Sequence, residues 1–191
     1  AALRRACGDL IASAPVLIWS GNVAANMWNC FEVALTSGAT VQTMACIRRL
    51  QEMETPVMWP GQRIAIASVR MAIVEESKLL AQQTFISRDD VDIAMTEIGD
   101  AFDDAELVAS EIDDIDDFRV IQALHAAVMN DLATRARPLP RMIAYEFPQS
   151  MPSLWIAQRL YGDASRSGEL IDENKAVHPA FMPRTGRALS A

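Results

Sequence analysis

Residues 88–117 carry thirteen Asp or Glu side chains and a single base, Arg88. Clustered carboxylates can bind hard cations, which makes the run a candidate calcium loop. A loop of the right length would start at Asp100 and end at Glu111. Its third position is then Phe102, its ninth is Val108, and its sixth is Ala105 where the sharp turn needs glycine. Two oxygen ligands are missing, so a solvated acidic face, or one turned to a basic partner, is the better reading. His125 borders the apolar stripe of its segment with no carboxylate or cysteine at ligand spacing, and reads as a structural histidine. His178 precedes Pro179 in a loop, and two isolated histidines make no metal site. Cys7, Cys30 and Cys46 are odd in number and lack C-x-x-C spacing, as expected of small core residues in a reduced compartment. There is no G-x-S-x-G, no phosphate-binding glycine loop and no H-E-x-x-H. No catalytic, cofactor-binding or metal-binding residues are expected, and no enzyme.

The chain is 51% apolar and 22% charged over 191 residues, enough for one large domain or two small ones with a real core. Its net charge of −8 is uneven. Residues 1–137 carry −9 and residues 138–191 carry +1, so the acidity belongs to the first part. A general nucleic-acid binder needs a basic footprint, and nucleic acid is not an expected partner. No apolar run reaches the roughly eighteen residues of a membrane span. "LIASAPVLIW" (10–19) follows Arg4 and Arg5 as a signal-peptide core would, but Pro15 interrupts it and no cleavage site follows. The chain begins "AALRRACGDL" without an initiator methionine and is read as a piece of a longer protein.

Helical spacing dominates up to residue 137. Residues 22–36 put Val23, Met27, Cys30, Phe31 and Ala34 on one face, and a second helix is expected near 40–53. Pro56, Pro60 and Gly61 predict a break across 54–61. Residues 62–83 are apolar almost all round, the mark of a helix buried in a bundle or between subunits. In 87–112, Ser87 is placed to cap, and Asp89 and Asp90 occupy the first turn. Val91, Met95, Ile98, Phe102, Ala105, Ala109 and Ile112 then alternate four- and three-residue steps, a seam about three heptads long. A last long helix, 116–136, carries Ile121, Leu124, Val128 and Leu132. The expected product for 1–137 is a helical bundle.

The character changes at "ARPLPRMIAYEFPQSMP" (136–152), whose four prolines forbid helix while "MIAYEF" reads as a short strand. Two short helices follow at 153–161 and 165–173, then a proline-bounded stretch that can end in a strand. In the first helix Leu154, Ala157, Leu160 and Tyr161 share a face, with Ile156 joining Leu160. Gly162 suits a left-handed helix stop, Asp163 or Ser165 a cap, and Asn174 a second left-handed stop. Leu170, Ile171 and Phe181 are the expected inward residues. Residues 138–191 thus form a small βααβ domain after the helical one, and the whole is mainly α.

This set resembles a LysM domain, carried by Ile156-Ala157, Leu160-Tyr161-Gly162-Asp163 and Asn174, with Pro179 and Phe181 completing the motif. The usual Pro-Gly turn before the last strand is replaced by "PRTGR" (183–187). Residues 124–183 are similar, more narrowly, to the C-terminal end of the Mu-like phage DNA circularisation protein family, also called N proteins. The matching stretches are "DLATRARPLP", "RLYGDASR" and "HPAFMP". The resemblance implies a virion protein of the tail tip or baseplate, an adaptor between the tail tube and tape measure and the baseplate hub. It implies copies of itself in a three- or sixfold ring, no membrane and no catalytic step. The N-terminal domain of that family has no counterpart here.

The sequence leaves two other functions to consider, peptidoglycan binding and DNA-end binding. Peptidoglycan binding by a LysM groove would use loops near 148–153 and 175–183, which offer few amides or hydroxyls for N-acetyl groups. Binding of DNA ends would need a positive surface. On the tail reading, Leu154 points inward and Trp155 lies on the helix flank with Gln158 and Arg159. Trp155 and Arg159, with Met95, Ile98 and Phe102 of the seam, are the expected interface residues.

Overall fold

The computed structural model describes residues 23–53, 59–112 and 115–190. Cys7, the 10–19 stretch and Pro56 lie outside them. The described chain is mainly helical, with a small two-stranded antiparallel sheet near its C-terminus. It divides into two compact units. One comprises Ala1–Gln83 with Thr96–Asp131, the other Thr84–Met95 with Leu132–Ala191. The second unit therefore takes in residues 84–95 and 132–137 as well as the 138–191 read from sequence.

The first unit begins with α1 (Val23–Thr36), α2 (Val41–Met53) and α3 (Trp59–Gln82). Phe31 and Ala34 of α1, Met44 of α2 and Ala72 of α3 form one buried cluster, ringed by Leu35, Ile47, Met71 and Leu79. Met27 is buried as its spacing requires, while Cys30 is half-buried and Cys46 exposed. The expected break is shorter than 54–61: α3 already begins at Trp59, so Pro60 and Gly61 lie in its first turn. Proline is tolerated there because a first-turn N–H has no helical acceptor.

Helix α4 (Arg88–Glu111) begins where its capping residues say it should. Asp90 N–H donates to Ser87 Oγ at 3.2 Å, and Asp90 Oδ2 accepts from Ser87 N–H at 3.2 Å and Oγ–H at 2.7 Å. This reciprocal capping box satisfies donors the helix leaves open. Val91, Ile98, Phe102, Ala105 and Ala109 are buried, so the seam forms, but its last member Ile112 is exposed. Helix α5 (Ile115–Ala136) half-buries Ile121, Leu124 and Val128, and buries Leu132.

In the second unit β1 (Met142–Glu146) pairs antiparallel with β2 (Thr185–Leu189), from Met142 opposite Leu189 to Glu146 opposite Thr185. Between them lie α6 (Ser153–Tyr161), a 3₁₀ turn (Ala164–Arg166) and α7 (Ser167–Asn174). Tyr145, Ile156, Ala157, Leu170, Met182 and Ala188 make the core, with Phe147, Met151, Leu160, Tyr161, Ile171 and Ala176 packed round it. The proline-rich approach to β1 is tied down. Arg88 N–H donates to Pro140 O at 2.8 Å, and Met142 N–H donates to Asp89 Oδ2 at 2.6 Å. The Arg135 guanidinium lies 5.2 Å from the Phe85 ring centre, a cation–π contact in the same unit.

Candidate functional site

The start of α6 is set by two loops that hydrogen-bond to each other. Ser153 N–H donates to Pro179 O at 2.7 Å, Met182 N–H to Met151 O at 3.1 Å, and Ser150 Oγ–H to Met182 O at 2.7 Å. These bonds fix which α6 residues turn inward. The buried face is Ser153, Ile156 and Ala157, with Leu160 half-buried one turn on. Leu154, expected inward, is 59% exposed. The small Ser153 takes the inward place because its backbone must come within bonding distance of Pro179.

Trp155 is 45% exposed, and its ring meets Phe147 edge-on at 5.4 Å. Gln158 and Arg159 are exposed beside it, as the flank reading requires. Phe181, expected in the core, is 73% exposed and lies against His178 with ring centres 5.5 Å apart. Its neighbour Met182 fills the core instead. The cause is local: Phe181 N–H closes a turn on His178 O at 3.0 Å, which hands the inward position to the next residue.

The helix ends behave as capping chemistry dictates, with one correction. Gly162 sits at φ 71° and its N–H reaches Gln158 O at 3.1 Å, the left-handed stop expected. Asp163 accepts from Ser165 N–H and Oγ–H, both at 2.8 Å, and these bonds hold its carboxyl below the usual range. At the end of α7 the left-handed residue is Lys175 (φ 49°), not Asn174. Asn174 remains helical because its side chain is engaged. Nδ2–H donates to Leu170 O and to Arg187 O, and Oδ1 accepts from Arg187 N–H, each at 2.8 Å. A single amide thus joins the end of α7 to β2. Tyr161 is half-buried under the Arg166 guanidinium, 4.0 Å from its ring centre, and burial pushes its phenol up. Burial does the same to Tyr145.

The seam residues named as interface candidates, Ile98 and Phe102 of the first unit and Met95 of the second, are used within the chain. Ile98 and Phe102 are fully buried and Met95 is half-buried. The Phe102 ring stacks on the His125 ring of α5, with centres 4.8 Å apart and planes 8° from parallel. His125 Nδ1 lies 2.9 Å from Glu106 Oε1. Asp103, one turn before Glu106, completes a group whose ligand atoms all lie within 4.8 Å of one another. So His125 has the carboxylate neighbours its own segment lacks, supplied by α4. The signal was present in one place: Glu106 follows Phe102 by four residues, on the flank of the seam.

The sequence reading also missed a buried charge cluster. Arg48 of α2, almost fully buried, donates from Nε to Glu76 Oε2 at 3.3 Å and from Nη1 to Glu52 Oε1 at 2.9 Å. Burial raises the Glu76 carboxyl, and Arg48 opposes the rise. Glu75 is buried too, its Oε1 held by Lys78 Nζ at 2.6 Å, and Lys78 in turn lies over the Trp28 ring. A cleft of about 550 Å³ opens in the same unit, lined by apolar Ile66, Val69 and Val108 and acidic Glu52, Asp104 and Glu111. Arg70 at its edge pairs with Asp117.

Compared with known proteins, the chain matches no family model, and no curated protein matches it significantly. Among the described residues no helix is long and apolar enough to cross a membrane.

Proposed function

We propose that the chain is a structural protein of a phage virion, part of the tail tip. In this reading it is an adaptor between the tail tube and tape measure region and the baseplate hub. Residues 138–191 are its LysM-like docking module, and the chain carries no catalytic step. The motif residues Ile156, Ala157, Tyr161, Gly162, Asp163 and Asn174 support the reading, and so does the strand–helix–helix–strand order in which they occur. One observation carries the docking role. Leu154 and Trp155 stand side by side at the exposed start of a helix whose core-facing residues are Ser153, Ile156 and Ala157. Leu154 and Trp155 lie outside the core cluster, Trp155 touching its edge only through Phe147, and an amphipathic indole is the side chain protein contacts favour.

Assembly tests this directly. Light scattering at micromolar concentration should show association into a closed ring of three or six copies, and Trp155→Ser should weaken it. A clean monomer at that concentration sinks the ring. Density for an assembled tail tip lacking this chain would remove the virion assignment altogether. A second reading, peptidoglycan binding through the loops, is favoured by one finding: Phe181 and His178 form an exposed ring pair where a sugar could stack. Co-sedimentation with insoluble peptidoglycan, lost in Phe181→Ala but kept in Trp155→Ser, would establish it instead.

A further inference from the structure

We infer that Asp103, Glu106 and His125 form a binding site for a divalent transition-metal ion of the zinc type. The inference is independent of the tail reading. Asp103 and Glu106 are three residues apart on α4, hence on one face, and α5 brings His125 opposite them. The donor atoms already lie within 4.8 Å of one another. A tetrahedral zinc ion with bonds of about 2.0–2.2 Å holds its ligand atoms roughly 3.4 Å apart. The approach still needed is small, and Asp103, exposed at the helix surface, is free to make it by a change of rotamer.

Three properties separate this group from an ordinary patch of acids. The imidazole is oriented before any ion arrives, because it stacks on buried Phe102 and points Nδ1 at Glu106 from 2.9 Å. The donor set, one imidazole nitrogen and two carboxylates, suits zinc and its neighbours, whereas calcium and magnesium take oxygen ligands alone. Glu106 and His125 are largely buried at 18% and 21% side-chain exposure, while Asp103 faces water. An ion could therefore enter from solvent and keep a water in its fourth position. The surrounding segment, thirteen acids to one base over residues 88–117, draws cations toward it.

The chain has only two histidines, which makes the test specific. The full chain at neutral pH would be titrated with zinc chloride while the imidazole nitrogen resonances are recorded. One equivalent should shift the His125 signals and leave those of His178 in place. A hundredfold excess over the dissociation constant should raise the melting temperature by about 5–10 °C. Asp103→Asn should weaken binding at least tenfold while keeping the metal-free melting temperature. Equal movement of both histidines, unchanged affinity in Asp103→Asn, or no response at millimolar zinc would each overturn the site. Calcium binding as tight as zinc, with still imidazole signals, would replace it by a diffuse acidic face.

Discussion

Gly186 is the position at which the second unit has least room. It stands in β2 opposite Tyr145, and a Cβ placed on it would meet Tyr145 Oη at 2.5 Å and Cζ at 2.6 Å, with Asn174 Oδ1 closer still. Neither neighbour yields cheaply. The Tyr145 ring belongs to the core, and moving it amounts to overpacking, at about 1–3 kcal/mol. If Asn174 retreats instead, its two bonds to Arg187 are lost, at about 1 kcal/mol each. Either way the folded state loses roughly 1–3 kcal/mol, offset by about 0.4–1 kcal/mol from the stiffer unfolded chain. Gly186→Ala should therefore cost about 1–2 kcal/mol net. Gly168 supplies the control: it lies in α7 with nothing within 4 Å of an added Cβ, so Gly168→Ala should stabilise by about 0.5–1 kcal/mol. Urea unfolding, with amide exchange at Arg187 and Ala188 to report on this unit alone, would measure both. Two alanine variants shifting in the same direction would refute the close approach at Gly186.

Gly162→Ala forces a Cβ onto φ 71° and should destabilise by about 1 kcal/mol, with Gly162→Asn milder, read by the same urea titration. Trp155→Ser removes only the edge contact with Phe147, so thermal unfolding should show the second unit losing about 1 kcal/mol or less; collapse of that unit would mean Trp155 is a core residue. Glu76→Ala leaves buried Arg48 with Glu52 alone and should cost about 3 kcal/mol in chemical denaturation. Glu76 also sets a pH dependence. Its folded carboxyl is raised above the ordinary 4.5, so between that value and the raised one the folded chain holds a proton the unfolded chain has released. Stability falls across that window as pH rises. The stability of Glu76→Gln relative to the parent should rise over the same window, and a constant difference between the two would contradict it.

The elements were legible because each carried a strong local signal. The seam of α4 is written in alternating four- and three-residue steps, and Ser87 with Asp90 spells its start. Gly162 marks the end of α6 for the same reason. What failed depended on bonds that apolar character does not reveal. Leu154 and Phe181 both read as inward, but the bond from Ser153 N–H to Pro179 O turns Ser153 inward, and the turn that Phe181 N–H closes on His178 O hands its place to Met182. Asn174 suits a left-handed stop by composition, and only the nearby Arg187 backbone shows why it stays helical. Glu75 and Glu76 look like the polar face of a long helix until Lys78 and Arg48 are seen against them. His125 has no ligand neighbour in its own segment because Glu106 comes from the helix before.

The bond from Met142 N–H to Asp89 spans 53 residues of sequence, and with it the strand-bearing unit ceases to be a cassette. A fragment cut at residue 138 would carry β1 without the helix start that accepts its first amide, and would leave Pro140 without its donor. Exchange between related genes should respect that tie: crossovers that keep residues 84–190 together preserve the unit, and those falling between 96 and 131 join a strand to a foreign cap. The heritable piece is thus longer than its composition suggests, and its ancestry is best traced with the helix start included.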